Sequence, residues 1–205
     1  LIKSSKKLSI VIDEEVVYFN NSIGDIRAIS HENGSLIWQL TTLNNDVYAE
    51  SLSLKSSDLV LDNQSIYFSN NRNEFYSIDV NSGTIRWKQK INSSIRPTII
   101  GNTIITITQN GFLIIIDKIS GNIVRITDIF EFIKEKKRKE ISPVGFIVGS
   151  KYIYATISNG RIVIINITSG KYEKIIKIDG NKISKPFVFK NNFFIVKDSA
   201  IIQFD

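Results

Sequence analysis

Few side chains in this 205-residue sequence are equipped for chemistry, and their spacing argues against an acid–base or metal centre. There is no Cys, which excludes a thiol nucleophile, a thiolate zinc site and a disulfide framework. The one His, His31, stands beside Glu32 and Asn33 in a stretch that reads as a solvated turn. A lone imidazole also rules out a two-His mechanism or a His-rich metal site. Asp79 and Asp117 each lie four residues before a glycine, Gly83 and Gly121. That spacing suits a turn: the carboxylate accepts backbone amides two residues on, and Gly takes the positive-φ position without steric cost. Ser30 before Gly34 and Asn166 before Gly170 can do the same work less strongly. No other pair of carboxylates is placed for general acid and base catalysis, so no catalytic, cofactor-binding or metal-binding residue is expected. The remaining candidate is a charge run. Residues 134–139 read Lys-Glu-Lys-Lys-Arg-Lys, five cations against one anion, and hold four of the chain's six net positive charges. The rest of the surface is therefore too weakly basic for nucleic-acid binding.

These residues are positioned by a repeat. Residues 28–38, 77–87, 115–125 and 164–174 superimpose without gaps, with their glycines spaced 49, 38 and 49 residues apart. Upstream of each lies a matching apolar run: Val16-Val-Tyr-Phe, Ser65-Ile-Tyr-Phe, Thr103-Ile-Ile-Thr and Tyr152-Ile-Tyr-Ala. Short polar links follow these runs, among them the hairpin signals Asn110-Gly111 and Asn159-Gly160. One more short strand precedes each unit. The composition agrees, since Ile is abundant and Ala scarce, and β-branched residues favour strands. Tandem four-stranded units of roughly 40–50 residues are the signature of β-propeller blades. The fold class is all-β, with blades at residues 8–40, 58–91, 97–126 and 145–178 and a three-stranded last blade at 186–205. Trp38 and Trp87 occupy repeat positions and are expected to pack between blades. The longest apolar run, Phe112 to Ile116, is five residues, far short of the ~20 needed for a membrane-spanning helix. The chain begins at Leu1 and contains no Met, which points to a processing or trimming boundary.

The pattern Ala-x-Asp-x-x-x-Gly-x-x-x-Trp resembles the tryptophan-docking repeat of the quinoprotein (PQQ-like) eight-bladed propellers. Asp79, Gly83 and Trp87 keep its three marked positions and Gly34 and Trp38 keep two; Arg125 and Lys174 depart from it at the Trp position. Within that class the chain is similar to the BamB family of outer-membrane protein assembly factors. The resemblance rests on the basic segment 136–145 and on the ending from Lys185 to Phe204, and it runs from about residue 8 to the end. It implies the C-terminal part of a longer propeller, a non-catalytic scaffold without cofactor in the periplasm at the outer membrane. Membrane association would then come only through a lipid anchor outside this chain.

The implied partner is the POTRA domain of the barrel-inserting outer-membrane protein, docked on Ile2 and Lys3, which fall where the family has a Leu-Arg pair. Further partner contacts are expected from Asp46 and Glu50 in the connection 44–57 and from Lys136, Lys137 and Arg138 in the connection 129–142. Cut blade faces would also expose apolar surface and favour self-association. The alternatives are a fragment of a quinone-dependent dehydrogenase and a general PQQ-repeat binding module. The missing Cys argues against the first, because many such enzymes carry an adjacent Cys pair.

Overall fold

A computed structural model describes residues 8–21, 24–42 and 54–204. Five antiparallel sheets follow one another along the chain. The first holds β1 (Ile10–Asp13), β2 (Val16–Asn20), β3 (Ile26–Ser30) and β4 (Leu36–Leu40). The second holds β5 (Val60–Asp62), β6 (Ser65–Asn70), β7 (Glu74–Asp79) and β8 (Ile85–Gln89). The third holds β9 (Thr98–Ile100), β10 (Thr103–Ile107), β11 (Phe112–Asp117) and β12 (Ile123–Asp128). After a helical turn, α1 (Glu135–Arg138), comes the fourth, with β13 (Pro143–Val148), β14 (Tyr152–Ile157), β15 (Arg161–Asn166) and β16 (Tyr172–Lys177). The fifth has three strands, β17 (Phe187–Phe189), β18 (Asn192–Lys197) and β19 (Ala200–Phe204). Strands run in sequence order within every sheet, so each sheet is an up-and-down meander, or blade. The chain forms two compact units, Leu1–Asn102 with Lys118–Gly121, and Thr103–Asp117 with Asn122–Asp205.

Burial sets the inner strands of the second blade apart from its outer one. All six residues of β6 are buried, as are the central four of β7, whereas β8 is largely exposed. A strand covered on both faces has no solvent side, and the polar Ser65, Ser69, Asn70 and Ser77 are buried along with their apolar neighbours. In the first unit Tyr18, Ile26, Ala28 and Trp38 of the first blade form one core with Leu59, Ile66, Phe68, Tyr76, Ile78 and Val80 of the second. In the second unit Ile162, Ile183 and Ile195 form a smaller core, flanked by Tyr154, Phe193 and Phe204.

The repeat is visible in the hydrogen bonding. Each of the first four blades has a register shift between its third and fourth strands at one repeat position, after Ala28, Ser77, Ile115 and Ile164. The irregularity leaves Ala28 opposite Trp38, Ser77 opposite Trp87, Ile115 opposite Arg125 and Ile164 opposite Lys174. The turn beyond it closes through the glycine. Gly83 N donates to Asp79 O at 3.0 Å, Gly34 N to Ser30 O at 2.9 Å and Gly170 N to Asn166 O at 2.9 Å. Gly34, Gly83, Gly121 and Gly170 all have φ between +70° and +74°, a region that costs other L-residues roughly 1–2 kcal/mol.

The Asn-Gly hairpins form with longer loops than a two-residue turn. Thr108 N donates to Phe112 O at 2.8 Å and Gly111 N to Thr108 O at 3.0 Å, with Gly111 at φ +83°. Gly160 repeats this at φ +73° with Ile157. Asn110 and Asn159 stay at negative φ. One left-handed glycine after three loop residues suffices, and the type I′ turn, with two positive-φ residues, is not used.

Candidate functional site

The aspartate turns are structural. Asp79 Oδ1 accepts from Asn81 N at 3.0 Å, Ser82 N at 2.9 Å and Ser82 Oγ at 3.0 Å, while Oδ2 meets Arg86 Nη2 at 2.6 Å. Bonding from Ser82, aided by Arg86 and Asn81, holds the carboxyl below its ordinary value. Asn166 Oδ1 accepts from Thr168 N at 3.0 Å and Ser169 N at 2.9 Å, the same two backbone positions that Asp79 caps. Ser30 Oγ receives one bond, from Glu32 N at 3.2 Å. Asp117 ends β11 at the same repeat position, four residues before Gly121. His31 is exposed in the first of these turns.

The tryptophans dock on these turns one blade further on. Trp38 is 9% exposed and its Nε1 donates to Val80 O at 2.7 Å. Its ring covers Gly83 so closely that a Cβ there would stand 2.6 Å from it. Trp87 repeats the arrangement, with Nε1 donating to Lys118 O at 3.0 Å and the ring over Gly121. Arg125 departs from the family pattern in sequence but fills the same slot. Its Nη1 donates to Ile167 O at 2.9 Å, the carbonyl equivalent to those of Val80 and Lys118, and its Cδ would stand 2.8 Å from a Cβ at Gly170. A planar cationic group with a forward-pointing N–H thus replaces an indole.

A cleft of about 550 Å³ beside Trp87 is lined by Asp62, Gln64, Tyr67, Ser77, Arg86 and Lys118. Its charged groups are paired, Lys118 Nζ with Asp62 at 2.6 Å and Arg86 with Asp79 at 2.6 Å. The Trp87 ring is stacked on Phe75 at an interplanar angle of 17° and also covers Gly121. Among the described residues no group of three or more His, Cys, Asp or Glu side chains is placed to hold a metal ion.

The second blade contains a network that the sequence does not announce. Glu74 Oε1 meets Lys88 Nζ at 2.6 Å and Oε2 accepts from Asn70 Nδ2 at 2.8 Å. The Lys88 ammonium lies 5.0 Å from the centre of the Tyr76 ring. Burial alone would raise the Glu74 pKa, but bonds from Lys88, Asn70 and Tyr76 outweigh it and hold the carboxyl below its ordinary value. Burial first, and then Glu74, push the Tyr76 phenol up. A carboxylate depressed in the folded state stabilises the fold above its unfolded pKa, and that contribution disappears as pH falls through the folded value. Urea stability of the first unit should therefore decline as pH drops below the ordinary values of 4.5 for Glu74 and 3.8 for Asp79. Glu74→Gln is expected to be less stable at pH 7 and to flatten that decline; an unchanged slope would remove Glu74 from the account.

The basic run is built on a braced loop. Ile129 N donates to Gly111 O at 2.9 Å, and Phe130 is wholly buried against Gly111. The segment after β12 therefore tucks its aromatic onto the blade edge instead of forming an amphipathic helix. Arg138 is directed back into the loop: Nε donates to Ile133 O at 2.9 Å, Nη1 to Asp128 Oδ2 at 2.7 Å and Nη2 to Glu131 O at 3.2 Å. Lys136 and Lys137 are exposed. The structure thus separates these three partner candidates into one brace and two surface cations. Ile2, Lys3, Asp46 and Glu50 lie outside the described residues. Arg125 and the Glu74 network escaped sequence reasoning, although Gly170, kept in register, already marked a slot needing an occupant.

Four tandem four-stranded blades, each with a bulge and a glycine turn, and three of them docking a Trp or Arg on the glycine turn of the next, define the propeller-like architecture of the PQQ-repeat class. Residues 2–127 match the family model described as outer membrane protein assembly factor BamB, and the chain belongs to that family. No curated protein matches the sequence. Among solved structures, BamB from Moraxella catarrhalis is similar with a TM-score of 0.57 at 12% identity, covering 95% of this chain and 70% of that one. The computationally designed Ika8 protein is similar with a TM-score of 0.70 at 8% identity, covering 95% of this chain and 56% of that one. The WD40 domain of Neurospora crassa Pan2 gives 0.64 at 12%, covering 94% and 56%. These likenesses concern the fold, and the chain spans little more than half the length of the last two. Among the described residues no helix is long and apolar enough to cross a membrane.

Proposed function

We propose that the chain is a non-catalytic scaffold of outer-membrane protein assembly, working in the periplasm and presenting its inter-blade loops to the POTRA domain of the barrel-inserting partner. Its membrane anchor would be a lipid carried outside this chain. The family match over residues 2–127 supports the reading most strongly. The side chains agree: Trp38, Trp87 and Arg125 fill docking slots and Asp79 caps a turn, so the repeat's chemical groups serve rigidity. Strand addition to a blade edge is a secondary mode, and the outer strands β8 and β12 offer exposed Ile85, Val124 and Ile126 for it.

The test is docking. Ile2→Asp with Lys3→Glu places two like charges where an apolar group and a cation are proposed to meet the partner. Such reversals cost several kcal/mol, so POTRA affinity should fall about 100-fold or more in a pull-down or titration. Unchanged affinity would remove Ile2 and Lys3 from the docking surface.

A further inference from the structure

We infer that the loop of residues 128–142 is a preformed electrostatic contact for an anionic membrane surface, made by Lys134, Lys136, Lys137 and Lys139. The inference does not depend on the POTRA reading. If it holds, membrane association is not confined to a lipid anchor outside this chain.

The loop has a rigid base and a charged tip. Phe130 is wholly buried and its amide donates to Asp128 Oδ1 at 2.8 Å. Arg138 ties Asp128, Glu131 and Ile133 together through three bonds. Phe132 meets the Tyr172 ring at a centroid distance of 6.2 Å on β16. The tip is α1 with its flanks. Lys134, Lys136, Lys137 and Lys139 are all exposed, and among the described residues none of their ammonium groups is hydrogen-bonded or ion-paired. The neighbouring acids are Glu131, Glu135 and Glu140, also exposed. Four lysines therefore outnumber three carboxylates at the tip, on a loop tied back by Arg138 and Phe130.

The choice of side chains indicates the partner. Arg reads carboxylates through a planar fork, and the loop's only Arg is committed inward. What faces outward is a set of hydrated, flexible point charges. Such a crest suits a diffuse plane of lipid phosphates better than the defined carboxylates of an acidic peptide. A lysine near an anionic surface contributes about fivefold in binding, and the effect decays over a Debye length.

Co-sedimentation of the full chain with phosphatidylcholine vesicles containing phosphatidylglycerol tests this. Binding is expected to vanish on pure phosphatidylcholine and at high salt. Combining Lys136→Gln, Lys137→Gln and Lys139→Gln should weaken it by about 100-fold. Their side chains have no partners, so the variant should melt at the wild-type temperature. Equal binding to both vesicle types, or no loss in the variant, would overturn the proposal. Tighter binding to polyglutamate than to the anionic vesicles would overturn it too and assign the crest to an acidic protein.

Discussion

Trp38→Ala is expected to destabilise the first unit by about 3–5 kcal/mol, the range for removing a large buried aromatic. The ring is 9% exposed, lies 5.9 Å from Tyr18 and covers Gly83. Its loss opens a cavity in the core shared by the first two blades and takes away the N–H bonded to Val80 O at 2.7 Å. The residue bearing that carbonyl is itself buried, so its lost partner is not readily replaced by water and adds to the cost. The chain has two Trp, so Trp87 remains as the fluorescent reporter in a urea titration. A loss under about 1 kcal/mol would mean that the slot is not a load path between blades.

The glycines of the repeat should differ sharply although their backbones do not. Gly34 and Gly83 have φ of +71° and +70°. A Cβ on Gly34 meets nothing within 4 Å, whereas on Gly83 it stands 2.6 Å from two Trp38 ring atoms. Gly34→Ala should therefore cost about 1 kcal/mol, from the left-handed conformation alone. Gly83→Ala should cost about 3 kcal/mol, because a rigid indole held by a hydrogen bond must also shift. In the Trp38→Ala background the clash is absent, and Gly83→Ala should fall back to about 1 kcal/mol. The resulting coupling of roughly 2 kcal/mol is what a double-mutant cycle reads. Equal costs for Gly34→Ala and Gly83→Ala would contradict the docking geometry.

The blades were legible in the sequence because their determinants are local. The turn acids, the glycines and the apolar runs repeat in register, and the observed sheets fall within two or three residues of the expected blades. The docking slot was only half legible. Trp38 and Trp87 signalled it, but Arg125 did not, since guanidinium and indole share planarity and an N–H donor while differing in charge and hydropathy. Asn166 caps its turn as expected, its amide oxygen accepting two backbone amides, while Asp79 takes those two and adds Ser82 Oγ and Arg86. The division of the basic run into one bracing Arg138 and four outward lysines needed coordinates, because charge alone does not say which cation finds Asp128. Gly111 showed the same limit. The sequence marks it as a hairpin glycine, but its second duty, admitting Phe130, depends on a residue 19 positions away whose path only the fold supplies.

Calorimetric titration of the chain with the POTRA domains of its barrel-inserting partner tests the central claim most directly. Saturable binding to a POTRA domain, with no heat from quinone and Ca²⁺ in the same cell, is the predicted result. Silent POTRA titrations together with saturable quinone binding would contradict the scaffold account.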